Sequence, residues 1–159
     1  MSQKFIVGIS DWKICTRDDI LVTYALGSCI GICLYDKITG ISGLSHIMLP
    51  DSKSIAGGSA TPMKFADTAI PEMLSAMRAK GACAGITAKI AGGATMFQCS
   101  GAQFNIGERN IAAVRTVLGG LHIPIIAADT GLNYGRTVTF YSENGAVEVS
   151  STVRGKNVI

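Results

Sequence analysis

The sequence contains few charged and few aromatic residues. Only 16% of its 159 residues are charged and 6% are aromatic, whereas 48% are hydrophobic and the formal net charge is +3. No five-residue window is rich in Lys or Arg, which argues against nucleic acid as a partner. A chain this apolar, with so little net charge, buries enough surface to fold, so disorder is excluded. The length predicts one domain over residues 1–159.

Long hydrophobic runs are missing as well. The longest candidate for a membrane span is the uncharged run Ile20–Tyr35, which is shorter than the roughly 20 apolar residues that span a bilayer and is interrupted by glycine and serine. We therefore predict a buried strand, turn and strand in this region. The apolar stretch near the N-terminus is too short for a signal-peptide core, and no small-residue cleavage site follows it. We expect a cytoplasmic protein that is not embedded in a membrane.

The five cysteines are odd in number and irregularly spaced. Because secreted disulfide frameworks favour an even set in a smaller chain, reduced thiols are expected. A zinc site would have to draw on Cys29, Cys33 and His46. Cysteines four positions apart on a strand lie about 13 Å from each other, too far to share one ion. We therefore expect no metal.

The first of two predicted helices follows Thr61 and Pro62, a cap and a proline at the first helical position. Apolar residues then recur at helical spacing as far as Met77, and Gly81 is a natural stop. Pro71 lies inside this pattern. Because proline costs about 3 kcal/mol in a regular helix interior, we expect a kink or a late start.

The second predicted helix begins at Asn105, a candidate N-cap with Glu108 three residues later, and ends at Gly119-Gly120. Between the strands and the first helix, the polar, Gly-rich stretch Asp51–Thr61 is predicted to be a mobile loop. One interpretation of this loop is a flap that faces the substrate.

The remaining apolar segments are typical of short strands. They are Lys4–Ile9, Leu21–Tyr24, Cys29–Tyr35, Ile41–Leu49, Ile86–Ile90, Ile123–Ala128, Arg136–Tyr141 and Ala146–Ser150. The Asn144-Gly145 pair between the last two is a strong hairpin signal. Many strands with two or three helices predict an α/β (α+β) fold, a β-sandwich of mixed sheets with the helices packed on the outside.

Cys29 and His46 are the strongest candidates for chemistry. They lie in Cys29–Asp36 and Ile41–Leu49, two segments that flank a short turn and are predicted to form a hairpin. A two- or four-residue loop places Cys29 opposite His46 or diagonal to it, with both on one face and about 4.5–8 Å apart at Cβ. A thiol and an imidazole at that separation can form the activated nucleophile of cysteine hydrolases. An odd-length loop would place them on opposite faces.

Gly27 and Ser28 directly precede Cys29. A glycine-containing turn before a nucleophile permits a sharp bend, which presents the side chain and aims backbone N–H groups at a developing oxyanion. The other thiols have a simpler interpretation, since cysteines in apolar strands are usually small core residues, and we expect this of Cys33 and Cys83.

Five motifs occur in order along nearly the whole chain, from Gly8 to Tyr141. They are Val22-Thr23 with Leu26-Gly27-Ser28-Cys29, then His46-Ile47-Met48-Leu49-Pro50, Lys89–Phe97, Asn105–Asn110, and Asp129-Thr130-Gly131 with Gly135-Arg136. Together they resemble the chemoreceptor glutamine deamidase family, CheD. One position departs from the family pattern: Leu132 stands where a second glycine is usual, which puts the geometry of that turn in question.

The resemblance implies that particular glutamines in the cytoplasmic helices of bacterial chemoreceptors are hydrolysed to glutamate and ammonia. The family's nucleophile matches Cys29, its base matches His46, and the threonine that orients the imidazole matches Thr23. Backbone donors near Gly27, Ser28 and Cys29 would hold the oxyanion. The family fold is a β-sandwich with outer helices, as in certain toxin deamidases, and the reaction calls for no metal or organic cofactor.

Two other functions stay open. Family members can also bind and stimulate a CheC-type phosphatase, so a non-catalytic adaptor is the first alternative. Phe97 and Phe104 are candidates for the apolar contact with such a partner. A deamidase or transglutaminase that acts on other proteins is the second alternative, because it would use the same triad.

Overall fold

Two five-stranded sheets are present in the residues that the computed structural model describes, which are 2–83, 85–96 and 105–159. In chain order the strands are β1 (Lys4–Ile6), β2 (Asp11–Cys15), β3 (Ile20–Leu26), β4 (Ile30–Tyr35), β5 (Ser42–Ile47), β6 (Thr87–Gly92), β7 (Ile125–Thr130), β8 (Arg136–Tyr141), β9 (Val147–Ser151) and β10 (Gly155–Val158). The first sheet has the order β1-β3-β8-β9-β10, and the second has β2-β5-β4-β6-β7. Each sheet mixes parallel and antiparallel pairs.

Two α-helices, α1 (Ala66–Ala79) and α2 (Ile106–Gly120), pack on one face of the second sheet. Successive residues of a strand point to opposite faces, so β4 serves two cores. Ile32 and Leu34 pack against the helices, whereas Cys33 packs between the two sheets. The predicted β-sandwich with outer helices is therefore confirmed.

Most predicted strands are present, but two strands were missed. The strand predicted over Lys4–Ile9 ends at Ile6, and a separate strand, Asp11–Cys15, joins the other sheet after a turn in which Ser10 has φ 59°. The second missed strand, Gly155–Val158, is exposed along its whole length. Because its side chains do not enter a core, its sequence carries no apolar alternation to recognise.

Neither predicted capping side chain makes a capping bond, although Asn105 is the N-cap residue of α2. Thr61 makes no side-chain capping bond, and Pro62 begins a short 3-10 helix, so α1 starts late, at Ala66. Asn105 has φ 54° and its side chain caps nothing, while its backbone oxygen accepts from the N–H of Arg109 at 2.9 Å. A capping side chain needs extended backbone at the N-cap residue, so the left-handed conformation of Asn105 rules out the predicted box with Glu108.

Three further sequence predictions concern local structure. The stretch Asp51–Thr61 forms two short 3-10 helices, Ser52–Ser54 and Gly58–Ala60, where a mobile loop was predicted. The hairpin at Asn144-Gly145 is confirmed by the antiparallel pairing of β8 with β9. The run Ile20–Tyr35 forms β3, a turn and β4, as predicted, and no helix in the described ranges is long and apolar enough to cross a membrane.

Candidate active site

The register of the β4–β5 hairpin fixes where Cys29 lies relative to His46. Gly31 pairs with His46 and Ile30 pairs with Ile47. Cys29 is two residues before Gly31, so it is diagonal to His46 on the same face of the sheet. This is one of the two registers that the sequence predicts.

A β-bulge in β3 positions Thr23 and the turn that follows it. Thr23 pairs with Val138 and Leu26 pairs with Arg136, so β3 has one residue more than β8 between these rungs. Ala25, inside the bulge, has φ 60°. Because a bulge bends the strand and shifts its alternation, Thr23 and Leu26 are both fully buried. The chain then enters the Gly27-Ser28 turn that leads to Cys29.

The hydrogen bonds of Thr23 set the tautomer of His46. The Thr23 hydroxyl oxygen lies 2.7 Å from the backbone oxygen of Val7 and 2.7 Å from Nδ1 of His46. The Val7 carbonyl can only accept, so it takes the single hydroxyl proton of Thr23. Thr23 must therefore accept a proton from Nδ1–H of the imidazole. The neutral ring is left with its lone pair on Nε2, as a general base requires.

His46 is fully buried, and its Nε2 has no hydrogen-bond partner among the described residues. Burial lowers the pKa of the imidazole to about 4, because an apolar environment disfavours its charged form. The ring is therefore neutral at physiological pH. A buried acceptor without a partner costs stability, and such exceptions in a fold need an explanation. An unpartnered acceptor is also what a general base requires.

Cys29 is partly exposed, and burial raises the pKa of its thiol, while a hydrogen bond from its own backbone N–H acts in the opposite direction. Both the thiol and the imidazole of His46 are thus neutral in the free site. A resting thiolate–imidazolium pair is not favoured by this environment. In the free site the Cys29 thiol therefore keeps its proton, and the neutral imidazole of His46 is able to accept one.

The turn that carries Cys29 is held through three successive backbone carbonyl oxygens. Two of the donors are backbone N–H groups of the loop after β6, and the third is a side chain of α2. The bonds run from Ala94 N to Gly27 O at 2.9 Å, from Asn110 Nδ2 to Ser28 O at 2.9 Å and from Gly93 N to Cys29 O at 2.8 Å.

Glycines allow the backbones around this turn to approach closely. Gly92 has φ 111°, and a Cβ there would overlap the carbonyl oxygen of Cys29. A Cβ at Gly107, at the start of α2, would overlap the carbonyl oxygen of Ala94. At both positions only a residue without a Cβ fits.

A cavity of about 380 Å³ opens beside Cys29. Met48 and Met96 lie at its rim and are 41% and 43% exposed. Among the residues described, none of those lining the cavity carries a charge. An uncharged, mostly apolar pocket suits the methylenes and neutral amide of a glutamine side chain better than a carboxylate or an ammonium group.

The turn after β7 packs behind this cavity. Leu132 has φ 60° and its backbone oxygen accepts from Thr95 N at 2.9 Å. Arg136 is buried, and its guanidinium bonds to Asp129 at 2.9 Å and to the backbone oxygen of Gly131 at 3.0 Å. Leu132 thus holds a left-handed conformation that glycine adopts without strain.

No group of three or more His, Cys, Asp or Glu side chains that could hold a metal ion occurs in the part of the chain that the structure describes. Cys33 packs between the sheets, whereas Cys29 lines the cavity. The prediction for Cys83 as a core residue was wrong, since it is exposed. Phe97 and Phe104, the candidates for a partner contact, lie outside the described residues.

Two groups make hydrogen bonds in the site that the sequence did not predict, the carbonyl of Val7 and the amide of Asn110. The carbonyl of Val7 has no sequence signal, because every residue carries one. Asn110 lies in the Asn105–Asn110 motif, and its amide donates to the turn that carries Cys29. Its position one turn before Val114 on the buried stripe of α2 was the available signal, since a buried amide needs partners.

Comparisons with known proteins identify the family. The family model described as CheD chemotactic sensory transduction matches residues 48–151. The chain is 49% identical over 156 residues to a probable chemoreceptor glutamine deamidase CheD of Clostridium novyi, with 96% of each chain covered. It is 46% identical over 162 residues to a protein of the same name from Syntrophomonas wolfei, with 100% of each chain covered. The chain therefore belongs to the CheD family.

Proposed function

We propose that this protein hydrolyses side-chain amides of glutamines in chemoreceptors to glutamate and ammonia. The observation that carries the proposal is the buried imidazole of His46, whose Nδ1 is bound to Thr23 while its Nε2 has no hydrogen-bond partner in the described part of the chain. Cys29 lies diagonal to this imidazole at the mouth of an uncharged cavity. The names of the relatives, probable chemoreceptor glutamine deamidases, supply the substrate class.

The first half of the reaction forms a thioester. The Cys29 thiol passes its proton to Nε2 of His46, and the sulfur attacks the amide carbon of the glutamine side chain. A carbon–sulfur bond forms and the carbonyl electron pair moves onto oxygen, where the backbone N–H of Cys29 donates to it. The oxyanion then collapses, His46 gives its proton to the nitrogen, and ammonia leaves as the carbon–nitrogen bond breaks.

The second half releases glutamate. Water enters as ammonia departs, and Nε2 of His46 takes one of its protons while the hydroxide oxygen attacks the thioester carbon. The second oxyanion collapses with cleavage of the carbon–sulfur bond, and the thiolate recovers its proton from His46. Atoms and charge balance over the cycle with water as the only co-reactant. Each step uses groups of the chain and needs no metal or organic cofactor.

Thr23 acts through His46 in both halves. Each step passes through an imidazolium, which the Thr23 oxygen stabilises by accepting from Nδ1–H. Donation of the Thr23 proton to Val7 makes that oxygen a stronger acceptor, because hydrogen bonds in a chain polarise one another. Without these two hydrogen bonds, from Nδ1–H of His46 to Thr23 and from Thr23 to Val7, the imidazole has no fixed tautomer and no fixed orientation.

The proposal extends to the partners and the compartment. The substrates are the cytoplasmic parts of chemoreceptors, so the protein acts in the cytoplasm. A CheC-type phosphatase is a second proposed partner. The exposed rim residues Met48 and Met96 support it, because flexible methionines at a surface suit contact with a protein helix.

The experiment uses a purified cytoplasmic fragment of a chemoreceptor. The fragment is incubated with this protein, with Cys29→Ala and with Cys83→Ala, a control that removes an exposed thiol away from the cavity. Intact mass and ammonia release are followed together. We expect amide-to-acid conversion with the parent and with Cys83→Ala, and none with Cys29→Ala. If no protein converts any glutamine while the parent still binds the receptor or a phosphatase, the adaptor function replaces the deamidase.

A further inference from the structure

Asn110 is a buried side chain of α2 that touches both arms of the active-site hairpin. Its Nδ2 donates to the backbone oxygen of Ser28 at 2.9 Å and to that of Met48 at 3.1 Å. The side chain is fully buried. Both amide protons are therefore used, one on the arm that carries Cys29 and one on the arm that carries His46.

The bond to Ser28 fixes a peptide plane. The carbonyl of Ser28 and the N–H of Cys29 belong to the same peptide unit, which is planar and trans, so they point in opposite directions. Asn110 holds the carbonyl from the α2 side. The N–H of Cys29 is consequently directed the other way, and it lies against the sulfur of its own residue. This is the N–H assigned above to the oxyanion.

The bond to Met48 ties the two arms together. By the register that pairs Ile30 with Ile47, Met48 is the residue opposite Cys29, one rung beyond the end of the β4–β5 ladder. At this rung the Asn110 amide bridges the two arms, whereas backbone hydrogen bonds link them on the inner rungs. Beyond the ladder, a single NH₂ group therefore bridges the turn that carries Cys29 and the segment that follows His46.

We propose that Asn110 is a positioning residue of the deamidation reaction, which orients the Ser28–Cys29 peptide so that the Cys29 N–H faces the oxyanion. This inference rests on the proposed function, because it assigns Asn110 to the same chemistry. A merely structural asparagine would stabilise the docking of α2 and leave the chemical step unchanged. The two roles predict different effects of Asn110 variants. A positioning role slows reactions that form an oxyanion more than reactions that do not, whereas a structural role affects both kinds equally.

The variants are Asn110→Ala, which removes the amide, and Asn110→Asp, which keeps the size but replaces the donating nitrogen with an oxygen. Val114→Ala is the matched control, since Val114 lies one turn away on the same buried face of α2 and its side chain carries no hydrogen-bond donor. All three variants lose stability. We expect kcat for deamidation to fall by about 100-fold only in the Asn110 variants, with KM little changed.

A second measurement needs no receptor. Acylation of Cys29 by p-nitrophenyl acetate passes through a tetrahedral oxyanion, whereas alkylation by iodoacetamide does not. Both rates are followed by mass at Cys29, with the exposed Cys83 as the internal reference. We expect the Asn110 variants to slow acylation of Cys29 much more than its alkylation, and Val114→Ala to leave the ratio of the two rates unchanged.

The outcomes separate this inference from the proposed function. If the parent does not deamidate the receptor fragment but the acylation ratio falls in the Asn110 variants, the positioning role stands and the substrate is wrong. If acylation and alkylation fall equally, or if neither changes, Asn110 is structural and the inference is overturned. It is also overturned if Cys29 of the parent is acylated no faster than Cys83. Should Asn110→Ala fail to fold, Asn110→Asp gives the answer.

Discussion

Replacing His46 with glutamine removes the group whose burial makes this fold sensitive to acid. The pKa of His46 is about 4 in the folded protein, against an ordinary value of 6.5. Between these two pH values the unfolded chain binds a proton at His46 and the folded chain does not. His46 therefore costs no stability above pH 6.5, and the fold loses stability as the pH falls from 6.5 toward 4.

The size of the effect follows from the shift. Each unit of difference in pKa corresponds to about 1.4 kcal/mol, so the full interval is worth about 3 kcal/mol. Between pH 7 and pH 5, the part that lies below 6.5 is worth about 2 kcal/mol. Glutamine does not titrate, so His46→Gln lacks this loss, while every other titrating group is shared by the two proteins.

The assay is urea unfolding of the parent and of His46→Gln at pH 7 and pH 5. We expect the free energy of unfolding of the parent to fall by about 2 kcal/mol more than that of the variant. Equal losses in the two proteins would contradict this prediction, because they would show that His46 is protonated in the fold as readily as in the unfolded chain. The folded protein would then stabilise a proton on Nε2, and the conclusion that the buried imidazole is neutral would be wrong.

Three further predictions test the tautomer, the strain and the buried carboxylate. Thr23→Val removes the acceptor of His46 Nδ1–H, so kcat should fall by about 100-fold with the receptor fragment as substrate, whereas Thr23→Ser should keep the activity. Equal activity in both variants would show that the hydroxyl does not orient the imidazole. Leu132→Gly relieves a left-handed backbone at an exposed residue and should stabilise the fold by about 1 kcal/mol in thermal unfolding; a lower melting temperature would mean that the leucine side chain stabilises the turn. Burial alone would raise the pKa of Asp36, but hydrogen bonds from Cys83 N–H, from the Thr39 hydroxyl and from the backbone N–H groups of Ile38 and Thr39 hold it below its usual value. The stabilisation that the Asp36 carboxylate contributes is therefore present above pH 3.8 and is lost as the pH falls further. Asp36→Ala should lower the free energy of unfolding in urea at pH 7 by about 3 kcal/mol. An unchanged midpoint would mean that these hydrogen bonds contribute nothing to stability.

The candidate site was predictable from the sequence where local spacing decides it. Because side chains alternate along a strand, an even loop in the Cys29–His46 hairpin was enough to place both on one face, and the structure has one of the two predicted registers. The Asn144-Gly145 turn was also predictable locally, since its residue types select the turn. In both cases the signal lies within a few residues of the feature.

The rest depends on contacts between distant segments. The carbonyl of Val7 reaches Thr23 only because β1 and β3 pair in parallel, and no local pattern announces that pairing. Asn105 makes no side-chain capping bond because its backbone is left-handed, a conformation that the local sequence does not predict. The exposed strand Gly155–Val158 was missed because it enters no core.

Capture of the covalent intermediate would test the proposed chemistry at the nucleophile itself. This protein is mixed with the chemoreceptor fragment, the reaction is quenched in acid during turnover, and the peptides are mapped by mass. We expect a thioester between Cys29 and the side chain of a receptor glutamine, which hydroxylamine cleaves and Cys29→Ala does not form. Conversion of glutamine to glutamate by Cys29→Ala at the parent's rate, without any such link, would contradict the proposed mechanism.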